Sequence, residues 1–408
     1  MLSDLLDRID PEAVVALTRD LVRIDSVFRP ETGGCEQAVA AHVAGLLRGW
    51  GWPVQMREAA PGRPNVLAFL DSGRPGKSLL FEGHTDVVTE GDPAAWRHPP
   101  FAGEVVDGRI YGRGACDTKN NLAAAILAMR ALQQSGLPWG GRVLLAVPVD
   151  EEGLMLGIKR MIEWGWCDGV DGAIVCEPEE NQLCIAQKGA MRATLRVTGK
   201  MAHGAMPRSG LNPNVPLARM LVRFAAIEAA ECERCGEDPF LGWPSVTPTI
   251  VQGPESGAGV PQINVVPERA FAALDIRTTP AQDHRALERA LREAVAAELL
   301  PGLQADLQII EDRPCTHTDP RDPVVRASAA AYRAVTGKPP AYNGVPGATD
   351  GTFLWAWKGI PIVTYGAGCR TVPHQVDEWC AIDELVETTR IYAAAAAYFL
   401  GGLELPEV

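Results

Sequence analysis

The sequence predicts an α/β protein in which a mixed, mostly parallel sheet flanked by helices is interrupted by a smaller, inserted α+β domain. The chain of 408 residues is too long for one ordinary core, so two domains are expected. Segments with helical spacing alternate with short apolar runs in the first part of the chain, which is typical of a sheet with parallel interior strands. This pattern stops near residue 190 and returns after residue 320, which indicates an insertion.

The outer parts of the chain supply the elements of the main domain. Apolar residues at helical spacing predict helices, and short apolar runs between turn-forming residues predict buried strands. The predicted helices cover residues 11–24, 35–49, 120–135, 154–164, 322–336 and 383–399. The predicted strands cover residues 65–71, 78–83, 142–149, 172–177 and 360–364.

The middle of the chain has a different pattern. Strands are predicted in the segments MRATLRVTG, SVTPTIVQG and VVPERAFAALDIR. Helices are predicted over residues 213–230 and 281–299. Two helices with about four strands make a compact α+β unit. We therefore predict a metal-binding catalytic domain of residues 1–188 and 303–408 and an inserted dimerisation domain of residues 189–302.

Composition excludes several classes of function. The net charge is −13 and no run of Lys and Arg stands out, so a nucleic-acid partner is not expected. No uninterrupted apolar stretch of about 20 residues occurs and no signal-peptide pattern is found, so we expect a cytoplasmic protein without a membrane span. The ten cysteines are expected to be free thiols. Cys232 and Cys235 form the only close pair, and a zinc ribbon needs a second one.

Polar residues follow the predicted strands at their carboxyl ends, where α/β sheets bind ligands. In SLLFEGHTDVV, His84 and Asp86 project from the same side of an extended backbone, so Asp86 can hydrogen-bond the His84 imidazole or its surroundings. Asp117, in GRGACDTKNN, lies between a glycine-rich turn and a helix. Taken alone, His84 and Asp86 could be solvated loop residues, and Asp117 could be a helix N-cap.

Carboxylates also follow two other strands. LLAVPVDEEGL places Asp150, Glu151 and Glu152 after a buried strand, where a cation would offset their mutual repulsion, although an acidic helix N-terminus is the alternative. Glu177 ends the strand in AIVCEP, and PHQVDEW supplies His374. Histidines and carboxylates together suit zinc, cobalt or manganese, and a bridging carboxylate allows two ions about 3.5–4 Å apart. The sequence therefore predicts a site for two divalent ions.

The chain resembles the co-catalytic zinc amidohydrolases, a family that includes acetylornithine deacetylase, succinyl-diaminopimelate desuccinylase, aminoacylase and glutamate carboxypeptidase. The resemblance extends from about residue 13 to 398 and rests on motifs in the family's order: H-T-D-V-V, G-R-G-x-x-D-T-K, D-E-E-G, C-E-P, A-H-x-x-x-P-x-x-G-x-N-P and P-H-x-x-D-E. It implies two zinc ions per subunit, with cobalt or manganese as alternatives. His84, Asp117 and Glu177 would bind one ion, and Asp117, Glu152 and His374 the other. The peptide bond after the bridging Asp117 would be cis.

The resemblance also implies the catalytic roles. Glu151 would be the general base, which takes a proton from a metal-bridging water, leaving the hydroxide that attacks, and delivers the proton to the leaving amine. Asp86 would orient or tune His84. The side chains of Glu151 and Glu152 diverge, which lets one handle protons while the other binds metal.

Further roles would fall to the inserted domain, which makes the dimer in this family. His203 would stabilise the oxyanion in the partner's site. Asn264 would bind substrate and Arg277 a substrate carboxylate, because a guanidinium binds a carboxylate bidentately; a salt bridge at a strand edge would also explain Arg277. Thr349 matches the family's substrate-carboxylate loop. A homodimer acting on a small, carboxylate-bearing substrate is therefore expected.

Asn120 and Asn121 stand where the family usually has two glycines, and their amides could reach into the cleft and alter substrate preference. The expected reaction is hydrolysis of the C–N amide bond of an N-acyl amino acid or dipeptide-like substrate with a free carboxylate. One alternative is a metal-dependent aminohydrolase that releases an amine from an aromatic or amidine-like centre. Another is a non-catalytic metal-binding homologue, which the presence of Glu151 and all five metal ligands disfavours. Four histidines match no motif and are expected to be solvated or capping residues: His42, His98, His284 and His317.

Overall fold

The computed structural model describes residues 1–33, 35–257 and 260–406. The chain forms two compact units, which we call the main unit and the inserted unit. The main unit comprises Met1–Ala186, Thr318–Val345 and Thr349–Val408. The inserted unit comprises Gln187–His317 and Pro346–Ala348.

The elements follow in chain order. Before the insertion they are α1 Leu2–Leu6, α2 Pro11–Val22, α3 Gln37–Gly49, β1 Val54–Ala60, β2 Arg63–Asp71, β3 Ser78–Glu82, β4 Glu104–Val106, β5 Arg109–Tyr111, α4 Lys119–Gln134, β6 Arg142–Val147, α5 Leu156–Glu163, β7 Gly172–Val175 and β8 Leu183–Gln187. The inserted elements are β9 Gly189–Thr198, β10 Ala202–His203, α6 Asn214–Cys235, β11 Ser245–Gln252, β12 Val265–Val266, β13 Arg269–Thr278, α7 His284–Glu298, β14 Gln304–Arg313 and β15 Thr316–His317. The final elements are α8 Pro323–Thr336, β16 Tyr342–Val345, α9 Gly351–Lys358, β17 Ile362–Thr364, β18 Trp379–Ala381 and α10 Ile382–Phe399.

The main unit is built on one large sheet with a parallel interior. Its strands lie in the order β1-β2-β6-β3-β7-β17-β8, and β16 also pairs with β8. The pairs β6–β3, β3–β7 and β7–β17 are parallel, whereas β1–β2, β2–β6 and β17–β8 are antiparallel. Strands β3, β7 and β8 are buried along their whole length, as expected for strands covered on both faces. The predicted fold class is confirmed.

Helices cover this sheet because they present apolar faces to it and to one another. The alanine-rich α10 packs on α4 and α8, and α3 packs on β2. Helix α2 begins where the sequence predicts, since Asp10 caps it by accepting a hydrogen bond from the Glu12 N–H at 2.9 Å, with Pro11 in its first turn. Among the described residues, no helix has the length and apolar character needed to cross a bilayer.

The inserted unit contains a four-stranded antiparallel sheet in the order β11-β13-β9-β14. Burial alternates along β9 and β13, and their buried side chains form one core with α6 and α7 that includes Leu195, Leu274, Phe224 and Leu291. The two-helix, four-stranded prediction therefore agrees with the structure. The unit extends past the predicted boundary at residue 302, because β14 pairs along its length with β9 and completes the sheet.

Candidate metal centre

The site lies where three neighbouring parallel strands of the main unit end. Glu82, the last residue of β3, pairs with Ala146 of β6 and with Val175 of β7. The segments that follow these three strands therefore leave the same edge of the sheet side by side. His84 follows β3, the segment 150–152 follows β6, and Glu177 follows β7.

One group of donor atoms surrounds His84. Its Nε2 atom lies 3.2 Å from Oδ1 of Asp117, 3.7 Å from Oε1 of Glu177 and 3.9 Å from Oε2 of Glu151. The imidazole is fully buried, and its Nδ1 atom lies 3.0 Å from the Asp86 carbonyl oxygen. The carbonyl fixes the ring so that Nε2 faces the carboxylates.

A second group of donors surrounds His374. Its Nε2 atom lies 2.9 Å from Oε1 of Glu152 and 3.4 Å from Oδ2 of Asp117. The two oxygens of Asp117 thus face different histidines, Oδ1 toward His84 and Oδ2 toward His374. His374 has a backbone φ of +67°, an unusual conformation for a non-glycine residue, and such residues concentrate at functional sites.

The loop that carries Asp117 is held by Glu378. One oxygen of this buried carboxylate accepts hydrogen bonds from the N–H groups of Gly114, Cys116 and Asp117 at 2.9–3.0 Å. The other oxygen pairs with the guanidinium of Arg113. The Asp117–Thr118 peptide bond is cis, as predicted. The roles of Glu378 and Arg113 escaped the sequence-based prediction, although both residues lie within the motifs quoted above.

Asp86 has a more specific position than the sequence predicts. Its carboxylate accepts hydrogen bonds from the N–H groups of Glu151 at 3.1 Å and Glu152 at 3.0 Å, and Nδ1 of His84 is 3.6 Å from its Oδ1 atom. The His84 imidazole is instead bound by the Asp86 backbone carbonyl. Asp86 therefore fixes the turn that directs Glu151 and Glu152 to different donor groups.

The first carboxylate of the DEEG motif does not belong to the site. Asp150 pairs with Nη1 of Arg63 at 2.7 Å and accepts the N–H of Leu154 at 3.0 Å. Arg63 also pairs with the fully buried Glu36. This buried network fixes the loop that begins at Asp150. Glu151 and Glu152 are left facing His84 and His374, respectively.

The electrostatics of the site reflect crowded carboxylates. Burial raises the pKa of Glu151 and Glu177 well above their usual value, and neighbouring carboxylates add to the effect. Burial also acts to raise the pKa of Asp117, but hydrogen bonds with His374 and His84 hold it below its usual range. Hydrogen bonds with Asp117 and Glu152 raise the pKa of His374 to about 10. Cations between these groups would stabilise the ionised carboxylates.

The residues present fit two divalent cations. Ligand atoms of His84, Asp117 and Glu152 all lie within 4.8 Å of one another. Among the residues that the structure describes, Oε1 of Glu177 is buried without a hydrogen-bond partner, although it faces Nε2 of His84. A buried acceptor of this kind is costly unless it binds a ligand. Nitrogen and carboxylate donors suit zinc, manganese or cobalt.

The amides of Asn120 and Asn121 serve the fold rather than the cleft. Asn120 donates to the Ala367 carbonyl at 2.9 Å. Asn121 donates to the same carbonyl at 3.0 Å and accepts the Ala367 N–H at 2.8 Å. Both side chains are fully buried. Their hydrogen bonds tie the start of α4 to the loop after β17. The expectation that these amides reach into the cleft is therefore wrong for both NH₂ groups and for Oδ1 of Asn121. Among the described residues, Oδ1 of Asn120 is buried without a hydrogen-bond partner.

The predicted substrate residues of the inserted unit are partly brought together. His203 lies on β10 opposite Val265 of β12. The N–H of the next residue, Gly204, donates to the Asn264 carbonyl at 2.6 Å. His203 and Asn264 are exposed. Arg277 is paired with Asp275 two residues earlier, at 2.6 Å and 3.1 Å. The salt bridge considered above is present, but it lies on β13, an interior strand between β11 and β9.

The remaining predicted residues can also be placed. Thr349, in the main unit, is buried and accepts the Gly351 N–H at 3.2 Å. Two of the histidines without a motif make specific contacts instead of being solvated. His98 pairs with Glu104 at 2.7 Å, and His284 belongs to a cluster in the inserted unit described below.

The fold and the donor set define a metal-dependent hydrolase whose site lies at the carboxyl ends of parallel strands. Residues 80–398 match the peptidase family M20/M25/M40. The chain therefore belongs to this family.

Similar proteins agree with this assignment. The succinyl-diaminopimelate desuccinylase of Methylobacterium sp. (strain 4-46) is 32% identical over 397 residues, which cover 94% of this chain and 96% of the relative. That of Methylobacterium radiotolerans is 33% identical over 413 residues, covering 96% and 98%.

Solved structures show the same fold. Aminopeptidase PepT from Bacillus cereus superposes with a TM-score of 0.77 at 19% identity, over 96% of this chain and 99% of that one. A dinuclear metal-binding peptidase of the M20 family from Bacillus subtilis gives a TM-score of 0.67 at 17% identity, over 96% and 99%.

Proposed function

We propose that the protein hydrolyses the amide bond of an N-acyl amino acid that carries a free carboxylate, with N-succinyl amino acids as the first substrates to test. The observation that carries the proposal is the shared carboxylate of Asp117, whose two oxygens face two separate nitrogen and carboxylate groups, with Glu151 beside them. His84, Asp117 and Glu177 would hold one divalent ion, and Glu152, His374 and Asp117 the other. Zinc is the expected metal, with cobalt and manganese as alternatives. Bound divalent cations would supply Lewis-acid activation of water and of the scissile carbonyl.

Glu151 is the proposed general base. Its carboxylate is nearly buried, and burial raises its pKa well above the usual value, which strengthens it as a proton acceptor. Its N–H is held by Asp86, so the carboxylate keeps its place 3.9 Å from Nε2 of His84. Glu151 can accept a proton from the attacking water and deliver it to the leaving amine.

The substrate class rests on the relatives and on a few side chains. The relatives named above are desuccinylases, whose name implies an N-succinyl amide. Arg277, Asn264 and Thr349 would bind the substrate, with Arg277 contacting its carboxylate. Because Arg277 already pairs with Asp275, a substrate carboxylate would compete for the same guanidinium. Arg277→Met is therefore expected to raise KM more than it lowers kcat.

The test compares one substitution in the site with one on the surface. Glu151→Gln keeps the shape but removes the base, and kcat is expected to fall by about 10²–10⁴ while metal content stays at the wild-type value. Glu163→Gln, on an exposed glutamate of α5 that pairs with Arg160, is the control and should keep full activity.

The substrate panel contains N-succinyl-diaminopimelate, other N-succinyl and N-acetyl amino acids, and dipeptides, each with zinc, cobalt or manganese. Full activity of Glu151→Gln would refute the assigned base. If the metal-loaded wild type hydrolysed none of these amides, the substrate class would be refuted instead.

We also propose that the inserted unit forms a homodimer in which His203 completes the partner's site by stabilising the oxyanion. Strand β11 is an edge strand with exposed Ile250 and Val251, and α6 exposes Val222, so this unit offers apolar surface for a second copy. His203 is exposed, and its Nδ1 atom accepts the Ala205 N–H at 3.0 Å.

Mixing two weakly active variants tests this arrangement. His203→Ala and Glu151→Gln subunits would each be weakly active alone. If His203 acts across the dimer, random reassociation should restore about a quarter of wild-type activity, because one site of each mixed dimer is complete. No recovery after verified subunit exchange, or a monomer in sedimentation, would contradict the proposal.

A further inference from the structure

A cysteine, a histidine and an aspartate meet in the inserted unit, among residues that the metal centre does not use. His284 begins α7, and its Nδ1 atom lies 2.5 Å from Oδ1 of Asp312 near the end of β14. Its Nε2 atom lies 2.6 Å from Oγ1 of Thr278, and this hydroxyl lies 3.1 Å from Sγ of Cys315. An unbroken chain of contacts therefore runs from the Asp312 carboxylate through the imidazole and the hydroxyl to the thiol.

The backbone adds a donor to the same sulfur. The N–H of Gly189, the first residue of β9, donates to Sγ of Cys315 at 3.1 Å. A side chain at this position would collide, because its Cβ atom would lie 2.4 Å from Oγ1 of Thr278 and 2.9 Å from Sγ of Cys315. Glycine thus permits the N–H and the hydroxyl to approach one sulfur, and hydrogen-bond donors stabilise a thiolate more than a thiol.

The charges around the sulfur favour the same state. Burial opposes the positive charge of His284, but hydrogen bonds with Asp312 and with the Cys315 thiol raise its pKa to about 9. The neighbouring Lys188 also interacts electrostatically with Cys315. A thiol beside an imidazolium held by a carboxylate is the arrangement that activates cysteine nucleophiles. Cys315 is only partly buried, so a small reagent can reach it.

We propose that Cys315 is a reactive cysteine activated by His284 through the Thr278 hydroxyl and that it is a site of modification by peroxide. The Thr278 hydroxyl accepts the thiol proton and donates its own to Nε2 of His284, and Asp312 holds the resulting imidazolium in place. The thiolate sulfur attacks one oxygen of hydrogen peroxide, an S–O bond forms and the O–O bond breaks. The sulfur is oxidised to a sulfenic acid, while the departing hydroxide takes the proton from His284 and leaves as water.

The reactivity of each cysteine can be measured in the folded, metal-loaded protein. A brief treatment with isotope-coded iodoacetamide at pH 7, followed by digestion and mass spectrometry, gives a rate for every thiol. An ordinary thiol is only about 3% ionised at this pH, so Cys315 should react about tenfold faster or more than Cys35 and Cys369, which are also partly buried. Treatment with peroxide and dimedone should label Cys315 first.

Two substitutions distinguish activation from simple accessibility. His284→Gln should slow the alkylation of Cys315 by about tenfold, and Asp312→Asn, which keeps the imidazole, should slow it less. His98→Gln is the matched control, because His98 also pairs with a carboxylate but belongs to the other unit, so it should leave the rate unchanged.

Equal alkylation of Cys315 in the wild type and in both variants would overturn the proposal. So would the absence of a dimedone adduct at Cys315 when control thiols are labelled. Neither result depends on amide hydrolysis, so failure here leaves the proposed function untouched.

Discussion

Replacing Glu378 by glutamine should weaken both the fold and the metal centre. The carboxylate is 1% exposed, and one oxygen receives three backbone N–H groups from the loop that carries Asp117. The amide of glutamine can still accept these bonds, but without charge. Its NH₂ group would face the guanidinium of Arg113, so that two donors would oppose each other.

The magnitude follows from these contacts. A hydrogen bond to a charged group contributes about 1.5–3 kcal/mol and a neutral one about 0.5–1.5 kcal/mol, so three bonds together lose roughly 3 kcal/mol. Removing one partner of a buried ion pair costs about 3–5 kcal/mol. Both estimates count the loss of the same negative charge, so they are not added. We therefore expect Glu378→Gln to lower the free energy of unfolding by about 3–5 kcal/mol. Loosening the loop of Asp117 should also weaken metal binding by about 10–100-fold.

Urea denaturation of the metal-free protein measures the first effect, and competition with a zinc chelator measures the second. Glu163→Gln provides the exposed control. The double variant Arg113→Met with Glu378→Gln should be more stable than the sum of the single effects predicts, because no charge remains unpaired. A loss below about 1 kcal/mol with unchanged zinc affinity would refute the positioning role of Glu378.

Three further predictions concern contacts outside the candidate metal centre. Arg63→Met should lower the free energy of unfolding by about 3–5 kcal/mol in urea denaturation, because it leaves Glu36 buried without its partner; stability close to wild type would contradict this. Asn121→Ala should cost about 1–3 kcal/mol by the same measurement, since the buried Ala367 N–H loses its acceptor, while the Ala367 carbonyl keeps the hydrogen bond from Asn120. The pKa of His284 is raised from 6.5 to about 9. The stabilising contribution of the protonated imidazole is therefore complete below pH 6.5 and is lost as the pH rises through 9. The stability difference between the wild type and Asp312→Asn should accordingly be about 1–3 kcal/mol at pH 6 and shrink by pH 10; a difference independent of pH would oppose it.

The main features of the fold could be predicted because strong local patterns agree with the tertiary structure. Long helices such as α4 and buried strands such as β3 have patterns that fit a covered parallel sheet. Strand β14 was missed because its sequence, QADLQIIEDR, is mostly polar and lies at the edge of the inserted sheet. Its pairing with β9, more than 100 residues earlier in the chain, is not visible in a local pattern, and the predicted boundary at residue 302 was too early for this reason.

The difference between local patterns and distant contacts also explains which parts of the site could be predicted. The positions of His84, Glu152 and Glu177 follow from one rule, that parallel strands end at the same edge of a sheet, so that residues far apart in sequence meet there. No such rule gives the direction of the Asp86 carboxylate, which depends on where the N–H groups after β6 lie.

The asparagines lead to a conclusion about specificity. A polar residue at the start of a helix can face a cleft or bind distant backbone, and the choice for Asn120 and Asn121 is decided by Ala367, about 250 positions later in the chain. Because the NH₂ groups of both residues and Oδ1 of Asn121 are hydrogen-bonded within the fold, these atoms cannot also select a substrate without breaking buried hydrogen bonds. Differences in substrate preference should therefore be sought where a polar group can exchange partners, and Arg277, paired with the partly exposed Asp275, is such a group.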